Sequence, residues 1–230
     1  MKTIFNIFFG LFLLYTVPAF TQLSTIMPYD TSTKKIIYSE VVKMDTSINP
    51  QTIYQAAKGW FLSDITKFNK AGSTKGSDVT DAFFTGNKST MVTNDLKHKV
   101  DQPLTSDDPQ GRVLIGRGMY KYFGSSLGMI RSVYINFSIK IQVKKGRYKY
   151  EITNFATAHY NPYTGKSCTY GSFSDKGNCQ SSGPMENLIF CDSGITNAIE
   201  KMFNSTDQYI QWLTSDLKNY VSEHLEPENW

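Results

Sequence analysis

The stretch that decides the fold runs Val133-Tyr134-Ile135-Asn136-Phe137-Ser138-Ile139-Lys140-Ile141-Gln142-Val143-Lys144-Lys145-Gly146-Arg147-Tyr148-Lys149-Tyr150-Glu151-Ile152-Thr153. Up to Val143 every second residue is apolar, the period of a strand with one buried and one wet face. A two-residue turn at Lys145-Gly146 predicts a hairpin that sets Val143 opposite Tyr148, Ile141 opposite Tyr150 and Ile139 opposite Ile152. The other face then pairs Gln142 with Lys149, Lys140 with Glu151 and Ser138 with Thr153, which adds an opposite-charge pair and a hydroxyl pair. A slip of one residue would place every apolar side chain against a polar one.

Working outward, Asn49-Pro50 reads as a helix start. The Asn side chain can accept from a free backbone N–H, and Pro at the first helical position loses nothing by lacking its own. Ile53, Ala56, Ala57, Trp60, Phe61, Leu62 and Ile65 follow at helical spacing, a core stripe. Residues 34–44 and 111–123 read as further strands. Gly116 and Gly118 miss the spacing of a phosphate-binding loop and mark a bulge or a close backbone approach. Residues 69–110 are polar and read as one long loop inserted into the domain. Near the C-terminus Ile195, Ile199, Met202 and Phe203 form one helical stripe and Ile210, Leu213, Leu217, Tyr220, Val221 and His224 a second. Asn204-Ser205-Thr206-Asp207 between them is either a break or a polar turn of one helix.

At the N-terminus Met1-Lys2-Thr3, the apolar run Ile4–Tyr15 and Ala19-Phe20-Thr21 have the layout of a secretory signal peptide cut after Thr21. The expectation is a periplasmic or secreted protein with no transmembrane segment in the mature chain. Export permits disulfides. Cys168 and Cys179 bracket a Gly/Ser/Asn-rich loop that would gain from a bridge; a pairing with Cys191, or no bridge, is the alternative.

The whole chain has 230 residues, 40% of them hydrophobic and 19% charged, an ordinary globular balance. Removing the first 21 residues, which carry one Lys and no acid, takes the net charge from +4 to +3, too little for a dedicated nucleic-acid binder. Three His and three Cys do not make a metal site, and no cofactor motif is present. His159 and His98 read as polar surface residues, His224 as half-buried on its helix, and Asp107-Asp108-Pro109 as a turn.

Several pieces together resemble a family of exported bacterial proteins, a domain of unknown function with a TATA-binding-protein-like (TBP-like) fold. They are Val41-Val42-Lys43-Met44, Ala56-Ala57-Lys58-Gly59-Trp60-Phe61, Gly111-Arg112-Val113-Leu114-Ile115-Gly116-Arg117-Gly118, and the hairpin with Lys145-Gly146-Arg147-Tyr148. The resemblance spans residues 41–155. It implies an α+β fold, a single curved antiparallel sheet with helices packed on one face, here followed by C-terminal helices. It brings no catalytic or binding residue with it.

The resulting organisation is a signal peptide at 1–21, a TBP-like α+β domain at 34–160 with the polar insert 69–110, and a Cys-containing loop with a helical extension at 161–230. Helices cover one face of a single sheet only, so the binding face is the wet face: Tyr134, Asn136, Ser138, Lys140 and Gln142. The function expected is a non-enzymatic, envelope-associated module that binds a protein or a polar ligand and no nucleic acid. A periplasmic hydrolase with an unrecognised site is the alternative.

Overall fold

The computed structural model describes residues 23–73, 102–126, 129–160, 167–168, 183–189 and 196–225. In chain order the elements are α1 (Leu23–Ile26), β1 (Tyr29–Asp30), β2 (Lys35–Ile36), β3 (Tyr38–Lys43), α2 (Pro50–Ser63), a 3-10 turn (Ile65–Phe68), β4 (Asn69–Ser73) and β5 (Leu104–Asp108). Then come β6 (Val113–Ser126), β7 (Met129–Lys144), β8 (Arg147–Tyr160), β9 (Ser167–Cys168), β10 (Gly183–Pro184), α3 (Glu186–Ile189) and α4 (Thr196–Glu223).

Three long strands, β6-β7-β8, form an antiparallel meander, and shorter strands share its two outer edges. The β7–β8 hairpin has the register expected from its alternation, with Val143 opposite Tyr148, Lys140 opposite Glu151 and Ser138 opposite Thr153. Its turn holds Gly146 at φ 66°, where a Cβ would also strike the Thr46 methyl at 2.7 Å. Beyond Thr153 the strand carries one extra residue. Asn154 sits at φ 58° in this bulge, and the inward parity moves from Tyr148, Tyr150 and Ile152 to Phe155 and Thr157. On the far side of β8, β3 pairs with residues 147–152 and β10 with residues 156–157.

The polar insert is not loop at both of its ends. Residues 69–73 are strand β4, parallel to β6 at Met119–Phe123, and residues 104–108 are strand β5, antiparallel to β6 at Val113–Gly116. Both are edge strands held through backbone hydrogen bonds, so neither needs an apolar face.

Helix α2 begins as its sequence predicts: the Asn49 side chain accepts from the Gln51 N–H, and Pro50 occupies the first turn. Ile53, Ala57, Trp60 and Phe61 enter the core, but Leu62 is 59% exposed because it lies one residue past the buried stripe. Phe61 and Phe137 explain the two glycines of β6. A Cβ on Gly116 would meet the Phe61 ring at 2.3 Å, and one on Gly118 the Phe137 ring at 2.3 Å. Both are close approaches, and at Gly116 the neighbouring β5 also breaks register between Leu104 and Ser106.

Helix α4 is continuous through Asn204–Asp207. Its polar turn is satisfied in place: Thr206 donates within the helix to the Met202 carbonyl, while Ser205 bonds to Tyr120 and Asp207 accepts from Tyr38 at 2.6 Å on the sheet. Phe203, Ile210, Leu213, Leu217 and Val221 pack in the same core as α2 and the sheet, so α4 completes the domain instead of extending it. His224 is exposed, not half-buried: it follows the last helical residue, Glu223, and its ring stacks on Tyr220 at 3.9 Å. The leader residues 1–21 and Cys179 and Cys191 lie outside the described residues, as does the side chain of Cys168. Among the described residues no helix is long and apolar enough to cross a membrane.

Candidate functional site

The long helices α2 and α4 pack against one face of the sheet, where Leu114, Tyr120, Ile135, Phe137, Ile139, Ile141, Tyr148 and Ile152 share their core. The opposite face is built by the alternate residues, and the register arranges them in rows across the strands. One row reads Val41, Lys149, Gln142, Val113; the next reads Ser39, Glu151, Lys140, Ile115; a third reads Thr153, Ser138, Arg117. At the hairpin end the row is Lys43, Arg147, Lys144.

Of the five residues expected on this face, Asn136 and Lys140 are exposed and Ser138 and Gln142 half-buried. Ser138 accepts from the Asn154 amide at 3.4 Å. Tyr134 is different: it is only 2% exposed. It lies opposite Ala158, packs with Met119, and has the Lys121 ammonium 5.2 Å above its ring. This end of the outer face thus has an apolar cluster of its own, and Tyr134 is not an open contact residue. Alternation assigns a side chain to a face; it does not say whether neighbours on that face will close over it.

The charges of the outer face are lopsided. Lys140, Lys144, Arg147, Lys43 and Arg117 are exposed there. Of the carboxylates, Glu151 is already paired with Lys149 at 3.0 Å, and Asp108 accepts from the N–H groups of Gln110 and Gly111 at 3.1 and 2.9 Å. Asp108 is thereby the turn-former expected of Asp107-Asp108-Pro109. Asp107 instead turns to α2, where it accepts from the Tyr54 hydroxyl and pairs with Lys58 at 2.5 Å.

The helix-covered face holds the second candidate, which the sequence did not single out. Lys67 is 7% exposed, with its ammonium 3.3 Å from Asp216, 3.0 Å from the Ser63 hydroxyl and 4.9 Å from the centre of the Trp60 ring. Burial pushes its pKa below the ordinary lysine range, while Asp216 pulls it back up. A serine and a buried lysine at this distance are the atom pair of a serine–lysine hydrolase. Here the hydrogen bonds run the wrong way: Lys67 donates to Ser63, and Ser63 donates to the Trp60 carbonyl at 3.1 Å. Asp216 also accepts from the Trp60 indole at 2.7 Å. With Asp216 and the rings of Trp60, Phe68 and Tyr220 around it, the arrangement favours a held cation over a free amine base. It fastens the end of α2 to α4. Among the described residues no group of three or more His, Cys, Asp or Glu could hold a metal ion.

Residues 38–157 match the family described as a domain of unknown function (DUF4468) with TBP-like fold. Two crystal structures are similar. A DUF4468 family protein from Bacteroides ovatus ATCC 8483 has 13% identity over 89% of this chain and 94% of its own, with a TM-score of 0.49. A TBP-like protein from Parabacteroides distasonis ATCC 8503 has 12% identity over 86% of this chain and 97% of its own, with a TM-score of 0.50. At such identity the second likeness shows the fold alone. No curated protein matches.

Proposed function

This chain belongs to the DUF4468 family of domains of unknown function with a TBP-like fold, and from that premise we propose an exported, non-enzymatic module of the cell envelope whose sheet face opposite α2 and α4 docks a partner. The observation that carries this reading is the contrast in charge pairing. Carboxylates on the helix side are bound to tyrosines, an indole and lysines, whereas Lys43, Lys140, Lys144 and Arg147 on the open face have no carboxylate partner among the described residues. The apolar run Ile4–Tyr15 followed by Ala19-Phe20-Thr21 supports export. N-terminal sequencing of the processed protein should begin at Gln22.

The docking half is tested by a benzophenone amino acid placed at position 140, with position 201 on the exposed side of α4 as the control. Irradiation in the native cell should give a protein adduct from position 140 alone. Adducts only from position 201 would put the contact on the helix layer. A hydrolase built on Ser63 and Lys67 is the second reading, favoured by their 3.0 Å separation. Labelling of Ser63 by a fluorophosphonate would establish it over the first.

A further inference from the structure

We infer that the row Lys43, Arg147, Lys144 at the hairpin end of the open face is an anchor for an acidic segment of a protein partner. The inference rests on the docking role proposed above and names the chemistry of what docks.

The register makes the row unusual. Arg147 lies directly opposite Lys43 on one side and directly opposite Lys144 on the other, and all three are exposed. Neighbouring strands are about 4.8 Å apart, so three like charges stand side by side, an arrangement that works against the sheet. Lys145 in the turn is a fourth exposed cation. Elsewhere on the same strand pair Glu151 is bridged to Lys149 at 3.0 Å and Ser138 lies opposite Thr153. None of the three has a carboxylate partner among the described residues. Nor does the composition of residues 74–101 offer an acidic excess, since it holds four Lys and four Asp. A locally unfavourable cluster that the fold does not use points to a use outside the fold.

Charge alone would accept any polyanion; the neighbours narrow the choice. The large apolar side chains exposed on this face are aliphatic, Val41 at 50% and Ile115 at 39%. No aromatic ring is exposed there among the described residues. Single-stranded nucleic acids are held largely by stacking on aromatic rings, and membrane interfaces favour Trp and Tyr. Guanidinium and ammonium groups flanked by aliphatic side chains suit carboxylates carried on a protein chain, and Arg147 can take a carboxylate with two parallel hydrogen bonds.

The test uses the full mature chain and a fluorescent polyglutamate peptide, read by anisotropy. Wild type should bind, and binding should weaken as salt rises. The triple variant K43Q/K144Q/R147Q should bind at least tenfold more weakly, and Lys201→Gln should bind as wild type does. The melting temperature of the triple variant, and of Arg147→Thr alone, should stay level or rise, because a repulsion has been removed. Unchanged binding by the triple variant would overturn the inference. So would a fall in melting temperature in both variants, which would make the cations part of the fold. Equal binding of polygalacturonate, duplex DNA or phosphatidylglycerol vesicles would overturn the assignment to a protein partner. Adducts from position 140 that persist in the triple variant would leave the docking face standing and remove only this anchor.

Discussion

The two faces of one sheet handle polar groups in opposite ways. On the helix side, polar atoms meet partners from another element: Tyr38 with Asp207, Trp60 with Asp216, Tyr150 with Glu40 on the neighbouring strand, and Tyr209 with the Lys67 carbonyl at 2.6 Å. The Tyr148 hydroxyl is an exception, buried with no hydrogen-bond partner among the described residues. On the outer side, cations stand next to cations. A buried polar group must be paired or it costs free energy, whereas an exposed one is solvated at no such cost. The inner face is thus constrained by folding, and the outer face is free to be shaped by contacts with other molecules.

Substitutions on the two faces should separate sharply. The largest effect belongs to Trp60→Ala, expected to cost about 3–5 kcal/mol by cavity formation. The indole is 1% exposed, touches Phe61 and Phe68 at 4.9 Å, and leaves Asp216 short of a donor when it goes. A chemical denaturation curve like that of wild type would show that α2 does not bind the sheet through this residue.

Tyr134→Ala comes next and sharpens the contrast, because Tyr134 is an outer-face residue that is buried. We expect a loss of about 2 kcal/mol, since its ring packs with Met119 and Ala158 in a small cluster apart from the main core. A loss under about 0.5 kcal/mol would return Tyr134 to the open surface.

Tyr150→Phe tests an inner pair that is partly wet. Its hydroxyl donates to Glu40 at 2.7 Å, and Lys218 reaches the same carboxylate at 3.0 Å. That hydroxyl first, and Lys218 second, hold the Glu40 carboxyl below its ordinary value of 4.5. A depressed folded-state value stabilises the fold above the unfolded value and loses that contribution as pH falls through the folded one. The cost of Tyr150→Phe should therefore be about 1 kcal/mol at neutral pH and shrink in acid below pH 4.5. Stability curves for both proteins at several pH values check the sign; a gap that widens in acid would contradict it. The smallest effect should come from Lys140→Ala, within about 0.5 kcal/mol of wild type.

The hairpin was legible in the sequence down to its register because both faces carried information: one alternation of apolar residues, one matching set of polar pairs. Helix α2 was legible from its cap and stripe. Strands β4 and β5 were not. Asn69-Lys70-Ala71-Gly72-Ser73 and Leu104-Thr105-Ser106-Asp107-Asp108 pair through the backbone at an edge, and edge pairing leaves almost no mark on side-chain choice. The continuity of α4 was hidden for a related reason. Ser205, Thr206 and Asp207 look like a break until Tyr120 and Tyr38 are known to stand beside them. The candidate face was legible as a face, but its charged row was not. Lys43 is far in sequence from Arg147, and only the pairing of β3 with β8 brings them together.

That same pairing of distant segments sets a timetable for folding. Ile36 waits for Glu186, Trp60 for Asp216 and Glu40 for Lys218, partners separated by 150, 156 and 178 residues. A ribosome adding about 5–20 residues per second would leave Trp60 without its helix for roughly 8–30 s. During that interval the sheet and α2 lack the share of the core that Phe203, Ile210, Leu213, Leu217 and Val221 of α4 supply. Whatever meets this protein first in its lifetime must tolerate it open.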